Sequence, residues 1–135
     1  MKHYTTDVVG FLRYLVGELG SEADRLYSLA ERGEVVVELP AIAAAETLYR
    51  IQKGHPSKGT SLPGSAEDVV AGLGSFLPVT LVETTLDELQ HVADARGTFS
   101  LHDAMVVASH RARETEAVIT TDTAIDERGV TVVWD

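Results

Sequence analysis

No cysteine occurs anywhere in the chain, and that one absence excludes disulfides, zinc–thiolate sites, iron–sulfur clusters and cysteine nucleophiles together. Lysine is almost as scarce: of 11 basic residues only Lys2, Lys53 and Lys58 are lysines, against 21 Asp and Glu, giving a net charge of −10. This balance opposes nonspecific attachment to phosphate backbones and to anionic membranes. It suits a high-salt cytoplasm, where short screening lengths make self-repulsion tolerable, and it also occurs in ordinary acidic proteins. Long apolar runs are missing too; nothing approaches the roughly 18 uninterrupted apolar residues of a membrane span. Met1 to Asp7 lacks the basic start, apolar stretch and small-residue cleavage site of a signal peptide, so a cytoplasmic address is expected.

What the chain does contain fits one domain, residues 1–135, at 135 residues and 44% apolar content. A short β-type run, His3 to Thr6, precedes a helical spacing of apolar residues from Val8 to Leu19. A second helical pattern runs from Ser21 to Arg32 with Gly33 as its stop, and "EVVVEL" follows as a strand. Pro40 suits the first turn of a helix reaching Gln52. The Gly-, Ser- and Pro-rich "KGHPSKGTSLPGS" reads as the one long loop. Beyond it, helices are expected over Ala66 to Leu77, Thr85 to Arg96 with a Thr85–Glu88 capping box, and Ser100 to Arg113. The strands are "VTLV", "AVIT" and "VTVVW". Strands alternating with helices imply an α/β fold with a mainly parallel central sheet and helices on both faces, because parallel neighbours need crossovers.

In such sheets the site lies beyond the carboxyl ends of the strands. Asp7 ends the first strand and Asp122 ends the "AVITT" run, so both can face one crevice, or each can simply cap the next helix. Glu46 lies within the apolar "AIAAAETLYRI", with Ile42 at i−4 and Tyr49 at i+3, so it is either buried with partners or on a face open to water. Asp103, in "SLHDAMVVASH", has Val106 and Val107 on its face, yet Ser100-x-x-Asp103 also has capping-box form. Four converging acids would raise one another's pKa values unless a cation neutralised them. Hard carboxylate oxygens without Cys or paired His suit Mg²⁺ or Mn²⁺, and the matching chemistry is metal-assisted phosphodiester hydrolysis.

Taken in order, "DVVGFLRYL", "AIAAAETLYRI", "SLHDAMVVASH" and "VITTD" resemble the four-acid pattern of PIN domains, especially the VapC-type ribonuclease toxins of toxin–antitoxin pairs. The resemblance spans nearly the whole chain. It implies a three-layer α/β/α sandwich and a Mg²⁺- or Mn²⁺-dependent endoribonuclease. It implies that Asp7, Glu46, Asp103 and Asp122 are both catalytic residues and metal ligands, and that Thr120, which matches the Thr often found two places before the last acid, is a substrate-binding residue. It further implies an RNA substrate, an antitoxin protein partner and a homodimer. Two departures stand out. Val8 occupies the place where the family usually has Thr or Ser, a hydroxyl that Thr6 or Thr121 would have to replace, and Ala124 stands where many relatives carry another acid. The alternative is a catalytically degenerate PIN-fold protein acting as an interaction module.

Other signals are weaker. "GHPSKGTS" superficially resembles a phosphate-binding loop, but Thr60 follows its second Gly where Lys is required, and "GLGSFL" lies in a helical pattern. His3, His55, His91, His102 and His110 include no i, i+4 pair, and His102 alone reads as a surface residue. No nucleophile-elbow motif occurs. A phosphoacceptor receiver would need clustered acids after the first strand and a late Lys, and has neither. Arg13, Arg50, Arg111 and Arg113 can contact RNA phosphates or pair with the abundant acids. Arg13, near the end of the first strand, is the best placed as a substrate-binding residue. The apolar faces of Val8 to Leu19 and Ser21 to Arg32 are expected at a dimer or antitoxin contact.

Overall fold

The computed structural model describes residues 1–54, 64–95, 97 and 99–135. In chain order the elements are β1 (His3–Thr6), α1 (Val8–Val16), α2 (Ser21–Glu31), β2 (Val36–Pro40), α3 (Ala41–Gln52), α4 (Ala66–Leu73), β3 (Thr80–Val82), α5 (Leu86–Ala95), α6 (Leu101–Arg113), β4 (Val118–Ile119), α7 (Thr123–Glu127) and β5 (Val132–Val133). The strands form one all-parallel sheet in the order β3-β2-β1-β4-β5, with helices on both faces. This is the expected three-layer α/β/α sandwich with a PIN-like sheet. The chain starts in the middle, builds outward to β3, then returns past β1 to add β4 and β5. The order therefore reverses beside β1 and β4, and the carboxyl ends of those two strands open the crevice that parallel sheets offer to ligands.

The register fixes which residues meet there. Thr5 pairs with Val118 and Thr6 with Ile119, and the amide of Asp7 donates to the Ile119 carbonyl at 3.3 Å. Phe11, Leu26, Tyr27, Val37, Leu39, Val118, Ile119 and Ile125 are fully buried and form the centre of the core. The buried hydroxyls of β1 are satisfied within that core: Thr5 pairs with Thr115 at 2.8 Å, and Thr6 accepts from the Tyr27 hydroxyl at 2.8 Å. Gly10 lets α1 settle on the sheet. A β-carbon there would stand 2.5 Å from Thr6 Oγ1 and 2.9 Å from the Ile119 carbonyl oxygen, so only glycine permits this approach.

Several boundaries differ from the sequence reading. α1 stops at Val16 because Gly17 adopts the left-handed conformation (φ 74°) and its N–H turns back to the Arg13 and Tyr14 carbonyls. Pro40 ends β2 and caps α3, standing just before the helix and not within its first turn. α4 ends at Leu73, where the chain turns through Gly74 and Ser75. A short helix, α7, which the sequence reading did not include, follows Asp122. Most of the loop expected over "KGHPSKGTSLPGS", and Arg96, expected to end the helix from Thr85, lie outside the described residues.

Over Val8 to Arg32, where an apolar contact face was expected, no large apolar side chain is fully exposed, and Val9, Tyr14, Leu15, Val16, Leu19 and Leu29 are half-buried. The Tyr14 and Tyr27 rings stack with centroids 4.6 Å apart, and Leu15 and Leu19 pack on the core. Among the described residues the large exposed apolar residues lie elsewhere: Met1, Tyr49 on α3, Val70 and Phe76 on and just after α4, Leu81 on the edge strand β3, Leu86 and Leu89 on α5, and Leu101 on α6. Among the described residues no helix is long and apolar enough to cross a membrane.

Candidate active site

Asp7 closes β1 and opens α1, and its two carboxylate oxygens divide the labour. Oδ1 accepts from the Gly10 amide at 2.8 Å, capping the helix, while Oδ2 accepts from Thr120 Oγ1 at 2.5 Å. The capping reading and the site reading thus hold together. Asp7 is only 4% exposed. Burial pushes its pKa up to about 6, against the lowering effect of those hydrogen bonds and with some help from the charges of Asp122 and Glu46.

Asp122 reaches the same place from β4. Its amide donates to Thr120 Oγ1 at 2.9 Å and its Oδ1 accepts from the Ala124 amide at 2.9 Å, starting α7. Thr120 is therefore a buried clip between the two acids, donating to one side chain and accepting from the other backbone. Asp103 comes from the first turn of α6. Ser100 Oγ caps that helix by accepting from the Asp103 amide at 3.3 Å. The Asp103 carboxyl stands beside that of Asp122, and burial, followed by the proximity and charge of Asp122, raises its pKa to about 6 against the lowering effect of Ser100. Ser100 thus caps α6 through the Asp103 amide, while the Asp103 carboxyl borders the cavity.

Glu46 projects from α3 one turn after Ile42, with its side chain only 12% exposed, which answers the question of whether it faces open water. It is paired twice, with Arg50 Nη2 at 2.5 Å and with His102 Nδ1. Asp7, Glu46, Asp103 and Asp122 all line one cavity of about 310 Å³, together with Val8, Ile42, Ser100, Thr121, Arg50 and His102. Of the two hydroxyls considered as replacements at Val8, Thr121 lines the cavity, whereas Thr6 is buried against Tyr27. Asp126 is in the first turn of α7 and does not border it.

The structure does not bring every expected residue to this cavity. Arg13 lies over the Trp134 ring, 5.9 Å from its centroid, away from the acids. Thr120 sits behind Asp7 instead of facing the opening. Conversely, Arg50 and His102 border the acids directly, although nothing in the sequence distinguished Arg50 from other arginines and His102 read as surface. The i, i+4 spacing of Glu46 and Arg50 was the available signal.

The donor set fits a hard divalent cation in its chemistry: four carboxylates at one cavity, two of them with pKa values raised in its absence. The present geometry is not a finished ligand shell. Among the described residues no three His, Asp or Glu side chains converge as a metal would require. The reasons are visible: Glu46 is held by Arg50 and His102, and both Asp7 oxygens are engaged.

No protein-family model matches the sequence, and no curated protein matches it. Solved structures do match in fold. VapBC2 from Rickettsia felis, bound to a DNA fragment from its promoter, aligns with a TM-score of 0.71 at 13% identity, covering 98% of this chain and 99% of that one. VapC20 from Mycobacterium tuberculosis, a sarcin–ricin loop cleaving toxin, aligns with a TM-score of 0.69 at 15% identity, over 98% and 99% of the two chains. FitAcB from Neisseria gonorrhoeae aligns with a TM-score of 0.65 at 19% identity, over 96% and 95%. At these identities the likeness establishes a shared fold from end to end.

Proposed function

We propose that the chain is a Mg²⁺- or Mn²⁺-dependent endoribonuclease, the toxin of a type II toxin–antitoxin pair, acting in the cytoplasm. The observation that carries this reading is the gathering of Asp7, Glu46, Asp103 and Asp122, from four separate parts of the sequence, around one cavity at the strand-order reversal. The end-to-end fold match to VapC20 and to the VapBC and FitAcB proteins supports the toxin assignment and an antitoxin as partner. A homodimer is part of the same proposal, and the exposed apolar residues of α3, α4, β3 and α5 are the surface available for a protein contact.

The chain's own residues prepare the chemistry. Thr120 fixes the Asp7 carboxylate and the backbone of Asp122, so two acids from different strands keep one orientation. Asp103 meets Asp122 from α6, and Glu46 closes the fourth side from α3. Asp7, Glu46, Asp103 and Asp122 would hold a divalent cation, which would activate water at neutral pH and stabilise charge developing on the phosphate. Ile42, Ala43 and Val106 provide apolar wall beside the acids, which lowers the local dielectric and strengthens each electrostatic contact.

The paired state of Glu46 and the lack of a converged ligand shell favour a second reading, a degenerate PIN-fold interaction module. Incubating the full chain with a structured RNA separates the two. Internal cleavage with Mn²⁺ and none with EDTA is the expected result, and intact RNA with Mn²⁺ across a range of salt concentrations would leave the interaction module.

A further inference from the structure

Among the described residues lining the acid cavity, Arg50 and His102 are the two side chains able to carry positive charge, and both contact Glu46. Their exposure differs sharply from that of the acid. Glu46 is 12% exposed, whereas Arg50 is 39% and His102 52% exposed, so the bases stand outward and the acid behind them. A guanidinium offers five N–H donors in a rigid planar fork, and one carboxylate does not exhaust them. The other charged groups on the cavity walls are Asp7, Asp103 and Asp122. In a chain of net charge −10, a phosphodiester entering this cavity meets repulsion unless a fixed cation receives it.

Other arginine pairs lack this setting. Arg25 contacts Glu22 at 2.5 Å and Arg32 contacts Glu34 at 2.7 Å, with the arginines 55% and 63% exposed, but neither borders the acid cavity. They are surface pairs of little consequence. Arg50 alone of these combines a braced guanidinium with a position beside the four acids.

We propose that Arg50 receives the substrate phosphate in the acid cavity, with one oxygen of Glu46, Oε2, as the brace that sets the direction of its guanidinium and the other, Oε1, held by His102 in this structure, as the one left to a cation. The inference rests on the ribonuclease reading and names the residue by which an acidic protein holds a polyanion at its site. The i, i+4 spacing on α3 keeps brace and guanidinium on one helix face, so the fork stays oriented without a second element. Lysine at this position would keep the charge and lose the fork.

The test is binding, kept apart from catalysis. A fluorescently labelled RNA hairpin is titrated with the full chain in Ca²⁺ and, in parallel, in EDTA, over a series of salt concentrations, using wild type, Arg50→Gln, Arg50→Lys and Arg25→Gln. Arg50→Gln is expected to weaken binding by about ten- to a hundredfold, the loss of one charge-assisted phosphate contact. The dependence of log K on log salt should become shallower by about 0.7 to 0.9, one released counterion. Its melting temperature should stay near that of wild type, since Arg50 is partly exposed at the end of its helix. Arg50→Lys should recover the salt dependence and only part of the affinity, and Arg25→Gln should match wild type in both. Equal affinity and slope for Arg50→Gln and wild type would overturn the proposal, as would an equal loss in Arg25→Gln or no RNA binding by wild type in either buffer. Arg50-dependent binding without any cleavage would remove the nuclease and keep the phosphate contact; cleavage with Arg50-independent binding would do the reverse.

Discussion

Asp103→Asn is expected to lose metal-dependent RNA cleavage by about a hundredfold to a thousandfold, the scale on which active-site electrostatic contacts act, while the metal-free protein melts no lower than wild type. The two halves of this result come from different atoms. The helix start depends on the Asp103 amide, which donates to Ser100 Oγ and is untouched by the substitution. The carboxyl faces Asp122 and Asp7, and burial with their repulsion already holds its pKa near 6. Removing that charge relieves repulsion in the metal-free state and removes a ligand from the loaded one. If Asp103 served only as a capping residue, the substitution would cost up to about 1 kcal/mol of stability and spare cleavage. Parallel thermal melts without metal and cleavage assays with Mn²⁺ distinguish these outcomes.

The stability of the metal-free protein should fall as pH rises from about 4 to about 6. Asp7 has a folded pKa of about 6, above its ordinary value of 3.8. Between those two values the folded state holds a proton that the unfolded state has released. Its contribution is therefore fully present below about pH 4, declines through the window and is gone above pH 6. The size is on the order of 3 kcal/mol for this one buried group, because it is 4% exposed and poorly screened. Asp103 shifts in the same direction from a more exposed position. Asp7→Asn should flatten most of the dependence, measured as denaturant midpoints across pH in EDTA. Stability that rises over the same interval would contradict the burial assigned to Asp7.

Much of this architecture was legible in the sequence because local signals and global fold agree. The alternation of apolar runs pointed to a mainly parallel sheet, which the structure shows to be parallel throughout, and the first strand, its following Asp and the helix carrying Glu46 fall where periodicity put them. What escaped depended on contacts between distant residues. The last two strands were read from their apolar runs and are present, but as two residues each, a shortness that the pattern did not show. Gly10 reads as an ordinary helical glycine until the Ile119 carbonyl beneath it is known. Arg13 looked well placed by chain position, but helical rotation turns it to Trp134. His102, by contrast, looked like surface and proved to be a partner of Glu46, because a sequence shows the spacing along α6 and not the approach of α3. Helix capping does not keep Asp7, Asp103 and Asp122 away from the cavity: Asp7 and Asp122 cap a helix through Oδ1, the Asp103 amide is capped by Ser100, and all three acids line it.

The central claim is that Asp7, Glu46, Asp103 and Asp122 make one divalent-cation site. Calorimetric titration of Mn²⁺ into the full chain at pH 7, repeated with Asp7→Asn, Glu46→Gln, Asp103→Asn and Asp122→Asn, tests it most directly. Saturable binding is predicted for wild type, weakening as pH drops below about 6, where protons compete for Asp7 and Asp103. Each substitution should weaken it at least about tenfold, or about 1.4 kcal/mol. Absence of saturable Mn²⁺ binding by wild type, or binding that survives all four substitutions unchanged, would contradict the account.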